Sequence, residues 1–351
     1  MPAFSLDHFD LYSAHHVPES YTWPSSYLHD HPSAGDGGGG GDSIPIIDIS
    51  SPTAVSLIGA ACRSFGVFYA TGHGVPVDLL DDVEHQARRL FALPLHQKLD
   101  TARRPGFISG YGRPPLSAFF PKLMWSEGFT IAGGHRRDVA GDIWPLEQAV
   151  FCDVIEKYNK MMKEMAGKLL NLMLLSLGID QEEAGRAGLI RDLQEAMEVL
   201  QLNSYPACPE PEKGIGMAAH TDSGLLTILY QSRGVNGLQI LHKEDEFGPT
   251  RWVTLPPLPG ALVIHVGDLL QILSNDQFKS VRHRAVVSRA EHRLSAAYII
   301  GPPGHVKMGP ISKLMQYGQN PIYRSVTWPE YLEIRAQLFD KALELIKLPI
   351  K

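Results

Sequence analysis

Val199-Leu200-Gln201-Leu202-Asn203-Ser204-Tyr205-Pro206 marks a change in how the chain is patterned. Before it, apolar residues recur at helical spacing. After it they come in short β-branched and aromatic runs closed by glycine or proline. Leu225 to Gln231, Leu238 to Leu241, Trp252 to Leu255, Ala261 to Val266, His283 to Ser288 and Ser295 to Ile300 follow in turn. Short strands repeated at such intervals read as a sandwich or barrel. The expected fold class is mainly β with flanking helices (α+β), its core a double-stranded β-helix, or jelly roll, over 198–302.

Working upstream, Val150, Val154, Tyr158, Met161, Met165, Leu169, Leu172 and Met173 keep a 3.6 period and predict a helix over 148–177. Its methionines read as a stripe packed on a sheet, rather than a partner groove. A loop-rich section covers 103–147. Ile44 to Ile49 and Val67 to Ala70 read as strands, with a helix between them and another over Leu79 to Ala92. Residues 1–43 are polar and end in Gly37-Gly38-Gly39-Gly40-Gly41, a flexible tether in which only Tyr21 to Pro24 are expected to dock. Downstream, Thr327-Trp328-Pro329-Glu330 has the form of a helix N-cap with proline in the first turn. Five stretches result: a flexible leader (1–43), an N-terminal region of helices and strands (44–150), a supporting helix with its linker (151–197), the jelly roll (198–302), and a C-terminal loop and helix (303–351).

Composition narrows the function. The 351 residues carry a net charge of −6, so a basic nucleic-acid footprint is missing. Three cysteines, Cys62, Cys152 and Cys208, are too few and too far apart for a disulfide framework or a thiolate zinc site. No run is long and apolar enough to span a membrane, and no secretory signal is read. The expected address is the cytosol, with no nucleic-acid or membrane partner. The sequence is silent on oligomeric state, and a monomer is the default.

Fifteen histidines make about one His-x-Asp pair expected by chance, and His8-Phe9-Asp10 in the leader is such a decoy. His220-Thr221-Asp222 differs in its setting, at the end of Gly216-Met217-Ala218-Ala219 where a strand begins. Residues i and i+2 of a strand share a face, so both side chains reach one ion. His283, 61 residues after Asp222, is the best third ligand from a later strand. Taken alone it reads as a structural histidine, and His265 competes for the role. Two imidazoles and one carboxylate form the facial triad of non-haem iron(II) oxygenases, with open positions left over. Ten residues on, Arg293-Leu294-Ser295 places a guanidinium fork and a hydroxyl on one strand face. That pair suits the far carboxylate of a dicarboxylic keto acid whose other end chelates the metal.

With these residues in place, the chain from about 44 to 348 resembles the plant soluble iron(II)- and 2-oxoglutarate-dependent dioxygenases. Asn203-Ser204-Tyr205-Pro206-Ala207-Cys208-Pro209-Glu210-Pro211 matches that family's Asn-x-Tyr-Pro-x-Cys-x-x-Pro signature, and Gly72-His73-Gly74-Val75 its N-terminal His-Gly-Val segment. The resemblance implies that His220, Asp222 and His283 hold iron. It implies that Arg293, Ser295 and Tyr205 contact 2-oxoglutarate while Asn203 lines the same pocket, and Arg293 counts as catalytic through that hold. Iron(II), with 2-oxoglutarate and O₂ as cosubstrates and ascorbate as reductant, follows from the family. Ser117-Ala118-Phe119-Phe120-Pro121-Lys122-Leu123-Met124-Trp125-Ser126-Glu127-Gly128-Phe129-Thr130, Leu200 to Asn203 and Ser325 to Tyr331 are similar to the gibberellin 3-oxidase branch.

The narrower resemblance implies 3β-hydroxylation of a gibberellin, an apolar carboxylic acid, to give bioactive hormone. Phe119, Phe120, Met124, Trp125 and His265 are the substrate-pocket candidates, the first four also fitting ordinary docking of a long loop. Two departures from the family pattern, His265 where many relatives carry Asn and Gly224 where Thr or Phe is common, leave the position of attack open. The alternatives are the same chemistry at C1, C2 or as ring desaturation, another plant small molecule, or a hormone-binding protein without catalysis.

Overall fold

The computed structural model describes residues 9–28, 43–104, 106–133, 148–180, 182–183, 195–243, 250–315 and 320–349. Eight strands make the main sheet: β1 (Ile46–Asp48), β2 (Val67–Thr71), β3 (Gly110–Gly112), β4 (Glu127–Ala132), β5 (Met197–Tyr205), β7 (Leu226–Gln231), β10 (Leu262–Val266) and β12 (Arg293–Gly301). Four more, β6 (Met217–His220), β8 (Leu238–Lys243), β9 (Thr250–Thr254) and β11 (His283–Ala285), form a second sheet. The orders are β1-β2-β10-β7-β12-β5-β4-β3 and β6-β11-β8-β9, so strands distant in sequence are neighbours in both. Every pairing within the jelly-roll region is antiparallel. The expected jelly-roll core is present.

Alternation along the strands assigns the two faces. Leu262, Ile264 and Val266 of β10 belong to the large core on the helical side, whereas Val263 packs with Leu229, Leu238 and Ile240 between the sheets. The helical layer comprises α2 (Ala54–Ser64), α3 (Val77–Phe91) and α5 (Gln148–Ser176), besides the short α1 (Ser25–Leu28) and α4 (Leu95–Asp100). In α5 the buried face is turned from the expected stripe. Val150 is exposed, while Phe151, Ile155, Met162 and Leu170 join Tyr158, Met165, Leu169 and Met173 inside. Each such side chain contributes about 1.5–3 kcal/mol by leaving water, which is why the helix sits on the sheet. The methionines are core, as expected.

Three local readings need correction. The loop-rich section contains β3 and β4, which extend the main sheet through β5; their glycines and polar residues hid the period, and 134–147 lie outside the described residues. The run from His283 forms a strand only as far as Ala285, and its register against β6 shifts between His283 and Ala285. The leader is not loose over 9–28: Leu11, Val17, Tyr21, Trp23 and Leu28 are all buried. Trp23 donates from Nε1 to the Leu123 carbonyl (2.8 Å), and Leu123 N–H donates to the Ser20 carbonyl (2.7 Å). A polar stretch can dock when a few aromatic anchors carry the burial. Residues 1–8 and the glycine run lie outside the described residues.

Toward the C-terminus, α6 (Asp268–Leu273) follows β10, and α7 (Trp328–Leu338) and α8 (Ala342–Leu345) follow the small β13 (Lys307–Met308) and β14 (Val326–Thr327) hairpin. Thr327 caps α7 as expected, its side chain accepting from Glu330 N–H while the Glu330 carboxylate accepts from Thr327 N–H. No helix among the described residues is long and apolar enough to cross a membrane.

Candidate metal centre and cosubstrate pocket

Ladder register brings the two candidate histidine ligands together. His283 on β11 is the cross-strand partner of His220 on β6, and their ring centroids are 4.3 Å apart. Asp222, two residues beyond His220, places Oδ1 3.7 Å from His220 Nε2 and 3.8 Å from His283 Nε2. The ligand atoms of His220, Asp222 and His283 all lie within 4.8 Å of one another, and among the described residues they are the group able to hold a metal. Nδ1 of His220 donates to the Ala218 carbonyl (2.8 Å) and Nδ1 of His283 to the Val281 carbonyl (3.2 Å). Those bonds leave the Nε2 lone pairs facing the carboxylate, the tautomer a metal requires.

Electrostatics agree with that use. Burial, with the neighbouring His283, pushes the His220 imidazole down to about 3, so it is neutral and able to coordinate. Burial pushes the Asp222 carboxyl up, but the surrounding His283, His220 and His265 rings outweigh it and hold the group below the ordinary carboxylate range. Two imidazoles and one carboxylate match the donor set of a non-haem iron(II) site.

The second constellation is also a matter of register. Across the β5–β12 ladder, Arg293 pairs with Tyr205 and Ser295 with Asn203. Arg293 is 3% exposed. Its Nη2 donates to Gln231 Oε1 (2.9 Å), while Nε and Nη1 have no partner among the described residues. The Tyr205 ring lies 5.0 Å from the guanidinium, and Asn203 Nδ2 is 3.5 Å from Ser295 Oγ. A buried guanidinium with two unused nitrogens is a receptor for an anion, and a carboxylate fits the fork. Gly237 makes room for it, since a Cβ there would lie 2.8 Å from Arg293 Cδ.

Residues 196–302 match the 2OG-Fe(II) oxygenase superfamily, and residues 44–147 match the N-terminal region described as non-haem dioxygenase in morphine synthesis. The chain belongs to the 2OG-Fe(II) oxygenase superfamily. It is 46% identical to gibberellin 3-beta-dioxygenase 1 of Arabidopsis thaliana, over 96% of this chain and 92% of that protein. It is 45% identical to gibberellin 3-beta-dioxygenase 1 of Pisum sativum, over 97% and 90%. Among solved structures, JOX2 in complex with 2OG, Fe and JA shares the fold at a TM-score of 0.80 and 27% identity, over 96% of this chain and 95% of that one. As a member of this superfamily the protein is a dioxygenase that uses iron(II) and 2-oxoglutarate, and its sequence falls in the gibberellin 3-beta-dioxygenase branch.

The pocket candidates divide. Met124 packs with Tyr205, Met217, Ala218 and Ala285 beside the metal-bearing strands, and Phe120 joins the rim of that cluster. Phe119 stacks on Phe339, ring centroids 4.7 Å apart. Trp125 goes elsewhere: it is fully buried against Leu11, Val17, Tyr21 and Cys208, where it anchors the N-terminal segment rather than lining the pocket. Adjacent residues leave a chain in different directions, so Met124 and Trp125 do not share a wall. The decoy's Asp10 accepts from Tyr12 and Ser13 in an exposed turn, and His8 lies outside the described residues.

His265 lies inside the jelly roll beside the site without belonging to the ligand group. It is 1% exposed, its ring is 4.5 Å from that of His283, and neither of its nitrogens has a hydrogen-bond partner among the described residues. Burial, then the proximity of His283, pushes this imidazole down to about 3. Gly224, the other departure, has a steric reason: a Cβ there would lie 2.7 Å from the Ile300 carbonyl oxygen. Sequence reasoning missed Phe339, Arg335 and the part played by Trp23. None sits in a motif with a chemical meaning, and only the docking of Tyr21 to Pro24 hinted at the last.

Proposed function

We propose that the chain hydroxylates a gibberellin at C3β, with His220, Asp222 and His283 holding iron(II) and Arg293 holding 2-oxoglutarate. The observation that carries the substrate is a set of eight relatives, 42–46% identical over 94–97% of the chain, each a gibberellin 3-beta-dioxygenase. Iron(II) held by His220, Asp222 and His283 would supply, with 2-oxoglutarate and O₂, the oxidant for an unactivated C–H bond, succinate and CO₂ being the cosubstrate's products.

The protein's own part is positioning and exclusion of water. Arg293 and Ser295 receive the far carboxylate of 2-oxoglutarate, with Tyr205 beneath the guanidinium and Asn203 alongside. Phe120, Met124, Trp23 and Phe339 offer an apolar wall of the kind a hydrophobic carboxylic acid needs. An intact ligand set and the two free guanidinium nitrogens of Arg293 support turnover over simple hormone binding.

The test is a panel of gibberellins incubated with enzyme, Fe(II), ascorbate and 2-oxoglutarate, with products identified by mass spectrometry. A 3β-hydroxylated product formed with stoichiometric succinate is expected. A dominant 1- or 2-hydroxylated product, or a ring alkene, would move the site of attack. Background succinate across the whole panel would reject gibberellins as substrates.

A further inference from the structure

We infer that Arg335, on the C-terminal helix α7, is a positioning residue for the metal centre: it fixes the His220-Thr221-Asp222 turn in its ligating geometry, with buried Asp268 as its anchor. The inference rests on the assignment of His220, Asp222 and His283 as metal ligands. Arg335 Nη2 donates to the Thr221 carbonyl at 2.8 Å, and Nη1 donates to Thr221 Oγ1 at 3.0 Å and to Asp268 Oδ2 at 2.5 Å. The Thr221 hydroxyl donates in turn to Asp268 Oδ2 (3.2 Å), and Asp268 N–H donates to the Asp222 carbonyl (2.8 Å). The peptide groups on both sides of the Asp222 Cα are thus held, one by Arg335 and one by Asp268. With both fixed, so is the direction in which the Asp222 side chain leaves the backbone.

The same carboxylate reaches the other ligand segment. Ser280, three residues before His283, donates from Oγ to Asp268 Oδ1 at 2.6 Å, and Tyr331 of α7 donates from its hydroxyl to Oδ2 at 2.8 Å. Asp268 has no exposed surface. It therefore joins the turn that carries Asp222, the segment that leads to His283, and α7. A buried ion pair is weak evidence of stability, because desolvation offsets the attraction and apolar packing often does as well. What this arrangement supplies is direction: a planar fork with two ends engaged at once. Partners of this kind, one step removed from a metal, typically change its affinity about 10- to 100-fold.

The experiment uses the full-length, metal-free protein, titrated anaerobically with Fe(II) by calorimetry, alongside thermal unfolding of the metal-free form. Arg335→Lys keeps a positive charge near Asp268 but cannot engage Thr221 and Asp268 together. Thr221→Val removes the shared hydroxyl. Thr327→Ala loosens α7 through its cap while leaving the Arg335 contacts in place. Arg335→Lys and Thr221→Val are expected to weaken Fe(II) about 10- to 100-fold, with Thr327→Ala binding as the unmodified protein does. Unchanged affinity in Arg335→Lys, or an equal loss in Thr327→Ala, overturns the inference. So does a raised Michaelis constant for the organic substrate with normal metal binding, which would make Arg335 a substrate anchor. Should Arg335→Lys fail to fold, Thr221→Val decides, and normal affinity there overturns it.

Discussion

The residues inside the jelly roll and those covering its mouth reach their places by different routes. His220 with His283, Arg293 with Tyr205, and Ser295 with Asn203 meet as cross-strand partners within one region of the chain. The cover is assembled from three distant segments: Trp23 from the leader, Phe120 and Met124 from the loop before β4, and Phe339 from the end of α7. Trp23 lies 5.3 Å from Phe120, and Phe120 lies 5.3 Å from Phe339, as ring centroids. Register places a side chain within the tolerance of a hydrogen-bond ladder, and a one-residue slip would turn it to the other face. Packing of separate segments has no such constraint. This comparison predicts that changes in the interior alter the reaction and changes in the cover alter what reacts.

The comparison breaks first at Asp222. Asp222→Ala removes the one carboxylate of the ligand set, and Fe(II) affinity and succinate formation should both fall by more than about 100-fold, beyond the loss typical of an outer partner. The variant should still pack its core and unfold cooperatively, since Asp222 bonds to the cover through no side chain. Calorimetric titration and a succinate assay measure the two quantities. Retained iron binding would mean that another donor set, with His265 the nearest reserve, holds the metal.

Arg293→Lys comes next. A lone ammonium replaces a buried fork, and losing a charge-assisted hydrogen bond costs about 1.5–3 kcal/mol, or about 10- to 100-fold. The loss should appear as a raised Michaelis constant for 2-oxoglutarate, with that for the organic substrate nearly unchanged. If the organic substrate suffers instead, Arg293 belongs to the cover's task and the division between the two regions is misplaced.

Legibility followed the same division. The jelly roll, the His-x-Asp pair, His283 and Arg293-x-Ser295 are readable because strand alternation and donor chemistry constrain spacing. A His two residues before an Asp shares its face in any strand. Trp125 misled because a segment's composition says it will bury aromatics but not against what. Phe339 was invisible for a further reason: it closes α7 at φ 48°, a conformation that disfavours a large side chain and that no pattern announces. Its ring contacts with Phe119 and Phe120 accompany that backbone. β3 and β4 escaped because a short glycine-rich edge strand, and a neighbour that opens on Glu127-Gly128, have a weak period.

Phe339 gives the third, smaller test. Phe339→Gly removes the ring while suiting the left-handed backbone, so fold loss does not obscure the result. Aromatic contacts contribute about 0.5–1.5 kcal/mol beyond buried area, so the Michaelis constant for the gibberellin should rise about 2- to 10-fold. The constant for 2-oxoglutarate should not move. Succinate released without product should increase, since a loosened cover misplaces the substrate. If both constants change together, the cover and the interior are not separable.

The smallest effect on rate, and the one that sharpens the comparison most, is expected at His265. It lies on an interior strand yet has the chemistry of a tuning residue: buried, 4.5 Å from the His283 ring, and with both nitrogens unpartnered. An orphaned buried polar group costs about 1–3 kcal/mol, so an apolar replacement should raise the unfolding temperature if His265 is only filling space. If instead its partner arrives with the reactants, the apolar variant loses a contact that orients them. The pair His265→Leu and His265→Asn separates these cases. A role in orientation predicts that both bind Fe(II) normally and consume 2-oxoglutarate at a near-normal rate, while the ratio of hydroxylated products shifts, most in His265→Leu. Unchanged product ratios with a higher unfolding temperature in His265→Leu would assign the residue to the core alone. A fourth ligand would occupy a position that O₂ or 2-oxoglutarate needs, so loss of Fe(II) binding in both variants would contradict either role and reopen the ligand set.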